Sequence, residues 1–415
     1  MSEVTTTADT PPSASPSTAP AAPARTRVAS VDLIRGAVMV LMAIDHVRVY
    51  SGLPAGGPSP GIFFTRWVTH FCAPAFIFLA GTSAFFYGAS RSGLSRLLLA
   101  RGAWLILLEL TVLKLAWTFS FEFFTRQMAG VIWVIGWCMI AMAGLVKLPI
   151  RVIAGFGLLA VAGHNLLDPV VTGLPGVTEG PLAALWKLLY SGFFGGPIPL
   201  GGDASFVVLY AFLPWVGVMA LGYAFGAILT KPAAERDRAC LTIGGAAIVA
   251  FVVLRATGLY GDPRTWAGLA APGPDGGGMP SLLAFLNATK YPASLQFQLM
   301  TLGPCIALVP LLERMRRLSS SWVSVFGRVP FFYYMLHIPL IHALALVVSA
   351  ATTGQVDPWL FQNHPMGNPP PPEGYPWSLG TLYLVFAISI AILYPLCRWY
   401  AGFKARRSEW WLRLL

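Results

Sequence analysis

The sequence predicts an all-α fold, a polytopic integral membrane bundle of about ten transmembrane helices with both termini cytoplasmic. Three observations predict it. Of the 415 residues, 56% are hydrophobic and 11% charged, where soluble chains average roughly 45–50% apolar and 25% charged. Apolar runs of about 20 residues, enough to cross a hydrocarbon core about 30 Å thick, follow one another through the chain. Lys and Arg concentrate in every second connection between those runs, the asymmetry that orients membrane helices.

In chain order the spans are expected near 31–50, 64–88, 97–119, 128–147, 149–167, 205–229, 239–258, 294–313, 328–351 and 378–399. Arg25/Arg27, Arg91/Arg96/Arg101, Lys147/Arg151, Lys231/Arg236/Arg238, Arg314/Arg316/Arg317/Arg328 and Arg398/Lys404/Arg406/Arg407/Arg413 then share one side with both termini. The positive-inside rule makes that side cytoplasmic. The net charge of +11 is therefore a matter of topology. Short basic clusters between apolar runs, with no continuous basic face, exclude a nucleic-acid surface.

Three regions follow. Residues 1–27 form a Pro/Ala/Ser/Thr-rich tail without apolar periodicity, expected to be disordered in the cytoplasm. Residues 28–402 form the transmembrane domain, and 403–415 a basic and aromatic tail whose end, EWWLRLL, suits an interfacial anchor. The first apolar run contains Asp32, Arg35, Asp45 and His46 and has no small-residue cleavage pattern, so it reads as a span and not as a cleaved signal. The connections 168–204, 259–293 and 352–377 are Gly/Pro-rich, fall on the outer side and have the length of lids or binding loops. No internal repeat is visible, which weighs against an inverted-repeat transporter.

The five cysteines are scattered, without a CxxC pair, and the six histidines include no HxxxH pair, His337 and His342 being five apart. Neither a disulfide framework nor a zinc site is indicated, and no tightly bound cofactor is expected.

The chemistry lies in the ionisable groups inside apolar runs, which are costly in a bilayer and by default functional. In the first span, RGAVMVLMAIDHVR, Arg35 and His46 are eleven residues apart. On a helix that puts them about 20° apart around the axis and about 16 Å apart along it, on one face. Arg35 then sits in the cytoplasmic half, where Asp32 can pair with it, and Asp45, His46 and Arg48 sit near the outer end. Asp45 either polarises His46 or, because adjacent helical positions point about 100° apart, pairs with Arg48 and leaves His70 or His337 to support His46.

The second span brings Arg66 and His70, four apart on one face, to a similar depth, with a kink expected at Pro74. The third carries Arg101, Glu109 and Lys114, and Glu109 is expected to need a cationic partner. His164, Asn165 and Asp168, at an outer helix end, suit capping as well as substrate contact. Lys290 and Tyr291 stand at the outer mouth of the eighth span, ahead of Gln296 and Gln298. The ninth places His337 near mid-membrane and His342 further out, and Pro330 and Pro339 suggest an irregular helix. A histidine beside such groups and shielded from water suits a general base near neutral pH, and arginines suit phosphates or a developing oxyanion. The same residues fit a structural ion-pair cluster, a proton-coupled transporter of a small anionic solute, or, through His46, His70, His337 and His342, a bis-histidine haem.

The stretches SVDLIRGAVMVLMAIDHVRVY, FFTRWVTHFCAPAFIFLAGTSAF, TKYPASLQFQLMTLGP and FGRVPFFYYMLHIPLIHAL together resemble the heparan-alpha-glucosaminide N-acetyltransferase catalytic-domain family of bacterial membrane proteins. The resemblance implies a ten- or eleven-helix acyltransferase of the inner (plasma) membrane. Such a protein takes an acyl group, as acetyl, from cytoplasmic acyl-CoA (acetyl-CoA) to a sugar or cell-envelope glycan at the outer face. In the broader group of transmembrane acyltransferases an arginine, ten residues and then a histidine mark the first span, and Arg35 and His46 match that spacing. Depth, spacing and charge, taken with that activity, give an expected catalytic set of His46, Asp45, His70 and His337, donor binding by Arg35 and Asp32, and acceptor or oxyanion contacts from Arg48, Arg66, Lys290 and Tyr291, with no metal. Lysosomal members carry an acetyl-relaying histidine between the first two spans, whereas Val49–Arg66 here has none, so direct transfer with His46 as base is expected. The bilayer is a partner, and a homo-oligomer is left open.

Overall fold

A computed structural model describes residues 28–56, 59–123, 125–168, 182–272, 278–315, 321–362, 369–407 and 409. The expected tail at 1–27, the EWWLRLL anchor apart from Glu409, and parts of the three long outer connections lie outside the described residues.

Helix α1 (Ala29–Ser51) runs 23 residues and ends on Gly52, whose φ of 72° is the left-handed stop that glycine accepts freely. A short α2 (Pro60–Trp67) and a tight turn over Val68–Phe71 lead into α3 (Cys72–Ser90), making one apolar run from Pro60 to Ser90. The irregularity expected at Pro74 falls one turn earlier. Pro74 has no N–H for the carbonyl of His70, and the chain tightens through Val68–Phe71. The third expected span is broken: α4 (Leu94–Leu108) passes through a wide turn at Glu109–Leu113 into a short α5 (Lys114–Thr118).

Helices α6 (Val131–Leu145), α7 (Ile150–Gly163), α8 (Phe212–Leu229), α9 (Ala233–Thr257), α10 (Leu295–Ala307), α11 (Val309–Arg314), α12 (Trp322–Arg328), α13 (Pro330–Thr353) and α14 (Leu379–Ala405) complete the bundle. Among the described residues seven helical segments are long and apolar enough to cross a membrane, and α6 is a shorter apolar helix. The molecule is thus an all-α polytopic membrane protein. The expected ten differ because Asp32, Arg35, Asp45 and Arg48 lower the apolarity of α1, the turn at Glu109 splits the third run, and α6 has 15 residues. Pro330 sits at the start of α13, where its missing N–H costs nothing, and Pro339 lies inside an otherwise continuous helix, so the irregular ninth span is not found.

Two stretches assigned to helices are strands. Residues Arg126–Ala129 (β1) pair in parallel with Ala204–Val208 (β3), and Ile198–Gly201 (β2) pairs antiparallel with β3. Ser205-Phe206-Val207-Val208 is aromatic and β-branched, which suits a pleated, half-covered surface better than a helix. The small sheet lies just before α6 and α8.

Helix α1 is central and packs on α3, α12, α13 and α14. Two glycines set its closest approach. A Cβ at Gly36 would meet the carbonyl of Val323, and one at Gly327 the carbonyl of Asp32, so α1 and α12 cross nearly backbone to backbone. Gly81 and Gly222 do the same for α3 against α8. The first crossing fixes the N-terminal end of α1, around Asp32 and Gly36, against α12.

Candidate active site

The C-terminal end of α1 presents two neighbouring but separate clusters. In the first, Asp45 accepts a 2.8 Å bond at Oδ1 from Arg48 Nε and a second, very short bond at Oδ2 from Arg66 Nη1 of α2. Arg48, one turn beyond Asp45, also donates to the Leu53 carbonyl at 2.9 Å. Asp45 and Arg48 are buried. Asp45 is therefore committed to two arginines and is not the hydrogen-bond partner of His46. Of the two arrangements open to it, the one in which adjacent residues diverge is found.

In the second cluster, His46 Nδ1 lies 2.6 Å from His337 Nε2, with the rings stacked at 4.8 Å. His337 Nδ1 lies 2.7 Å from the carbonyl of Tyr334, one turn back on α13. A carbonyl only accepts, so His337 Nδ1 carries the proton and its Nε2 is a lone pair. His46 Nδ1 must then be the donor, which leaves His46 Nε2 unprotonated and basic. The proton positions follow from partner identity. The edges of the Trp117 and Tyr334 rings approach His46, at 4.9 and 6.4 Å between centroids. Nitrogens this close leave no room for an iron between these two histidines, so they cannot be the haem pair.

His342 stands apart. Its ring is stacked between Tyr50 and Phe119, at 4.7 and 3.9 Å, and its Nδ1 lies 3.3 Å from the Ala116 carbonyl. That is a packing role within the core.

Beside the Asp45 cluster, Tyr291 faces Arg66 on one side and, at 5.5 Å between rings, Tyr210 on the other. Lys290 Nζ sits over both phenol rings, 5.3 Å from Tyr291 and 5.9 Å from Tyr210. Burial by itself raises the Tyr291 phenol, yet the cations Lys290 and Arg66 outweigh it and hold the group below its ordinary value. His70 is 5% exposed, its ring edge on Phe297 at 5.3 Å, and its Nδ1 has no hydrogen-bond partner. Arg66, His70, Lys290 and Tyr291, with Trp67, Arg264 and Thr289, line a cavity of about 270 Å³. The structure thus brings together His46, Asp45, Arg48, Arg66, His70, His337, Lys290 and Tyr291 from four separate chain segments.

Arg35 and Asp32 lie elsewhere, near the other end of α1. Arg35 donates to Ser83 Oγ at 2.7 Å and to the carbonyls of Leu79 and Gly327 at 3.4 Å, and its ion pair with Asp32 is 3.9 Å long.

One expectation changes and one of two open readings is found. Glu109 has no cationic partner among the described ion pairs; it accepts from the backbone N–H groups of Ile132 and Trp133 at 3.1 and 3.2 Å, where the positive end of the α6 dipole supplies the compensation. Asn165 and Asp168 join helices: Asn165 takes the Leu295 N–H at 2.9 Å and donates to Asp168, which Tyr190 also meets. Capping is what these residues do.

Sequence reasoning missed a hub that builds the cavity wall. Arg255, 1% exposed at the end of α9, donates to the carbonyls of Phe285, Arg264, Ala284 and Asn287 and to Gln296. It pairs with Asp262 at 3.6 Å, and Asp262 accepts from the Thr289 N–H and hydroxyl, Ser294 and the Arg264 N–H. The signal available was the compact Gly261-Asp262-Pro263-Arg264 stretch in an otherwise apolar and glycine-rich loop. Among the described residues no three His, Cys, Asp or Glu side chains gather as a metal site.

Comparison with known families matches residues 27–257 to the family described as heparan-alpha-glucosaminide N-acetyltransferase, catalytic. The matched segment contains Arg35, Asp45, His46, Arg48, Arg66 and His70, while Lys290, Tyr291 and His337 lie beyond it. No curated protein matches the chain.

Proposed function

The chain belongs to the heparan-alpha-glucosaminide N-acetyltransferase catalytic family, and from that premise we propose that it carries an acetyl group from cytoplasmic acetyl-CoA to a sugar or glycan acceptor at the outer face of the inner membrane. Membership implies a membrane acetyltransferase; donor, acceptor and residue roles are our reading of the geometry.

The observation that carries the reading is the relay from His46 through His337 to the Tyr334 carbonyl. It leaves His46 Nε2 as an oriented lone pair. An acceptor hydroxyl or amine attacks the thioester carbonyl as its proton passes to Nε2. The resulting imidazolium keeps its Nδ1–H on His337, so the new charge is shared with a second ring. Collapse of the tetrahedral intermediate breaks the C–S bond, and the departing thiolate takes the proton from His46, restoring the base. A cation among Arg66, Arg48 and Lys290 stabilises the oxyanion, Asp45 keeping the two arginines fixed. Arg35, toward the cytoplasmic end, holds a phosphate of the donor, for which its planar fork is suited.

The test is transfer itself. Membrane vesicles containing the protein, given radiolabelled acetyl-CoA and an envelope extract, are expected to move label into glycan. Uptake of a small anion without any acetyl transfer would favour a transporter instead.

A further inference from the structure

The acceptor cavity is more cationic than the proposed chemistry requires. Arg66, Arg264 and Lys290 line it and Arg48 and Arg255 lie behind them, and among the described residues these five cations meet two carboxylates, Asp45 and Asp262. Asp45 is shared by Arg48 and Arg66, and Asp262 faces Arg255. Neither Arg264 nor Lys290 has a carboxylate within ion-pair distance among the described residues.

The two unpaired cations differ in setting. Arg264 is exposed at the rim, with its Nε on the Thr289 hydroxyl at 2.9 Å. Lys290 is 9% exposed, with the faces of Tyr210 and Tyr291 at 5.9 and 5.3 Å from its Nζ and Asp45 acting on it only from beyond ion-pair distance among the described residues. A buried ammonium without a counter-ion is costly, and cation–π contact offsets only part of that. His70 adds a buried, unpartnered Nδ1 on the same wall. Arg264 and Lys290 therefore bring cations to the cavity that no carboxylate pairs with among the described residues, and His70 adds an imidazole with one unpartnered nitrogen.

From this convergence we propose that the cavity binds a phosphate monoester carried by the acceptor sugar, with Lys290 and Arg264 as its principal cations and His70 as a hydrogen-bond donor. The proposal rests on the acyltransferase reading for the word acceptor, but its site stands on the cavity alone. The charge decides the class. A carboxylate brings one negative charge against an excess of three cations, whereas a phosphate monoester brings about −1.5 to −2 and three acceptor oxygens. The cavity of about 270 Å³ is at the small end for a ligand site and suits one phosphorylated sugar unit better than an oligosaccharide. Phe63, Trp67 and Phe194 complete its lining with apolar surface on which a sugar ring can lie.

The experiment is calorimetric binding to the full-length protein in zwitterionic lipid nanodiscs, with no acyl-CoA present. The probes are glucose 1-phosphate, glucuronate and glucose. Glucose 1-phosphate is expected to bind at least about tenfold more tightly than either of the others, and Lys290→Gln and Arg264→Gln are each expected to weaken it about tenfold, the worth of one charge-assisted hydrogen bond. Lys290→Arg, which keeps the charge, should retain most of the affinity and so separates charge loss from misfolding. Arg35→Gln should leave the affinity unchanged, which rules out the donor site as the place of binding. Equal affinity for glucose or glucuronate, a loss in Arg35→Gln but not in the cavity variants, or no binding of glucose 1-phosphate would each overturn the proposal. A protein that binds glucose 1-phosphate in this way but transfers no acetyl group would retain the site and refute the acyltransferase reading.

Discussion

His46 and His337, 291 positions apart in the chain, meet nitrogen to nitrogen at 2.6 Å. Because the far nitrogen of His337 already faces the Tyr334 carbonyl, the pair has one direction: His46 Nδ1 donates and His337 Nε2 accepts, so that on the proposed mechanism His337 orients His46. This makes His337 a positioning residue, and its substitution should be graded. Glutamine can still accept from His46 Nδ1, whereas leucine cannot. His337→Gln should therefore retain more transfer than His337→Leu, with the loss in kcat and little change in KM for acetyl-CoA. Steady-state kinetics on matched amounts of folded protein check it, and equal activities would deny the orienting role.

Asp45 should matter more for stability than for chemistry. It balances Arg48, which is buried, and Arg66, which is partly buried at the cavity wall. Removing one partner of a buried ion pair typically costs about 3–5 kcal/mol, because the remaining charge stays buried. Asp45→Asn should thus lower the thermal midpoint in detergent more than His46→Ala does. The reverse order would mean that the arginines find other compensation.

The Arg255 hub should act at a distance. Arg255→Lys keeps the charge and the pair with Asp262 but loses the fork that holds four loop carbonyls. The expected result is a raised KM for acceptor at nearly unchanged KM for acetyl-CoA, since the donor residues lie near the other end of α1. A change confined to kcat would place Arg255 outside acceptor binding.

Topology is open to labelling. Single cysteines at Asp203, Thr265 and Gln355, all exposed, should react with an impermeant thiol reagent in whole cells, and one at Lys231 should react only after the membrane is opened. Labelling in the opposite sense would reverse the assignment of both termini.

Much of the fold was readable in the sequence because bilayer thickness and backbone satisfaction leave few choices for long apolar runs. Helices α13 and α14 fall where hydropathy put them. The β1–β3 pairing escaped because Arg126–Ala129 and Ala204–Val208 are short, lie beside apolar helices and pair across a separation that no local period reports. At the site, Asp45–Arg48 was readable as a three-residue helical spacing. His46–His337 was only one of several options, since contact between α1 and α13 is a tertiary fact. Arg255 stayed hidden for a different reason: a basic residue in the last turn of a helix has an ordinary reading as a partner for the helix dipole. Only the loop folded around it shows otherwise.

The proposed role of His46 Nε2 as the base for acetyl transfer is tested most directly by steady-state transfer from radiolabelled acetyl-CoA by wild-type and His46→Ala protein in detergent, with donor binding measured in parallel. Losing general-base help costs about 10²–10⁴ in rate, so His46→Ala should lose most transfer while binding acetyl-CoA nearly as the wild type does. Near wild-type transfer by folded His46→Ala, with His70→Ala inactive, would contradict the account and move the base to His70.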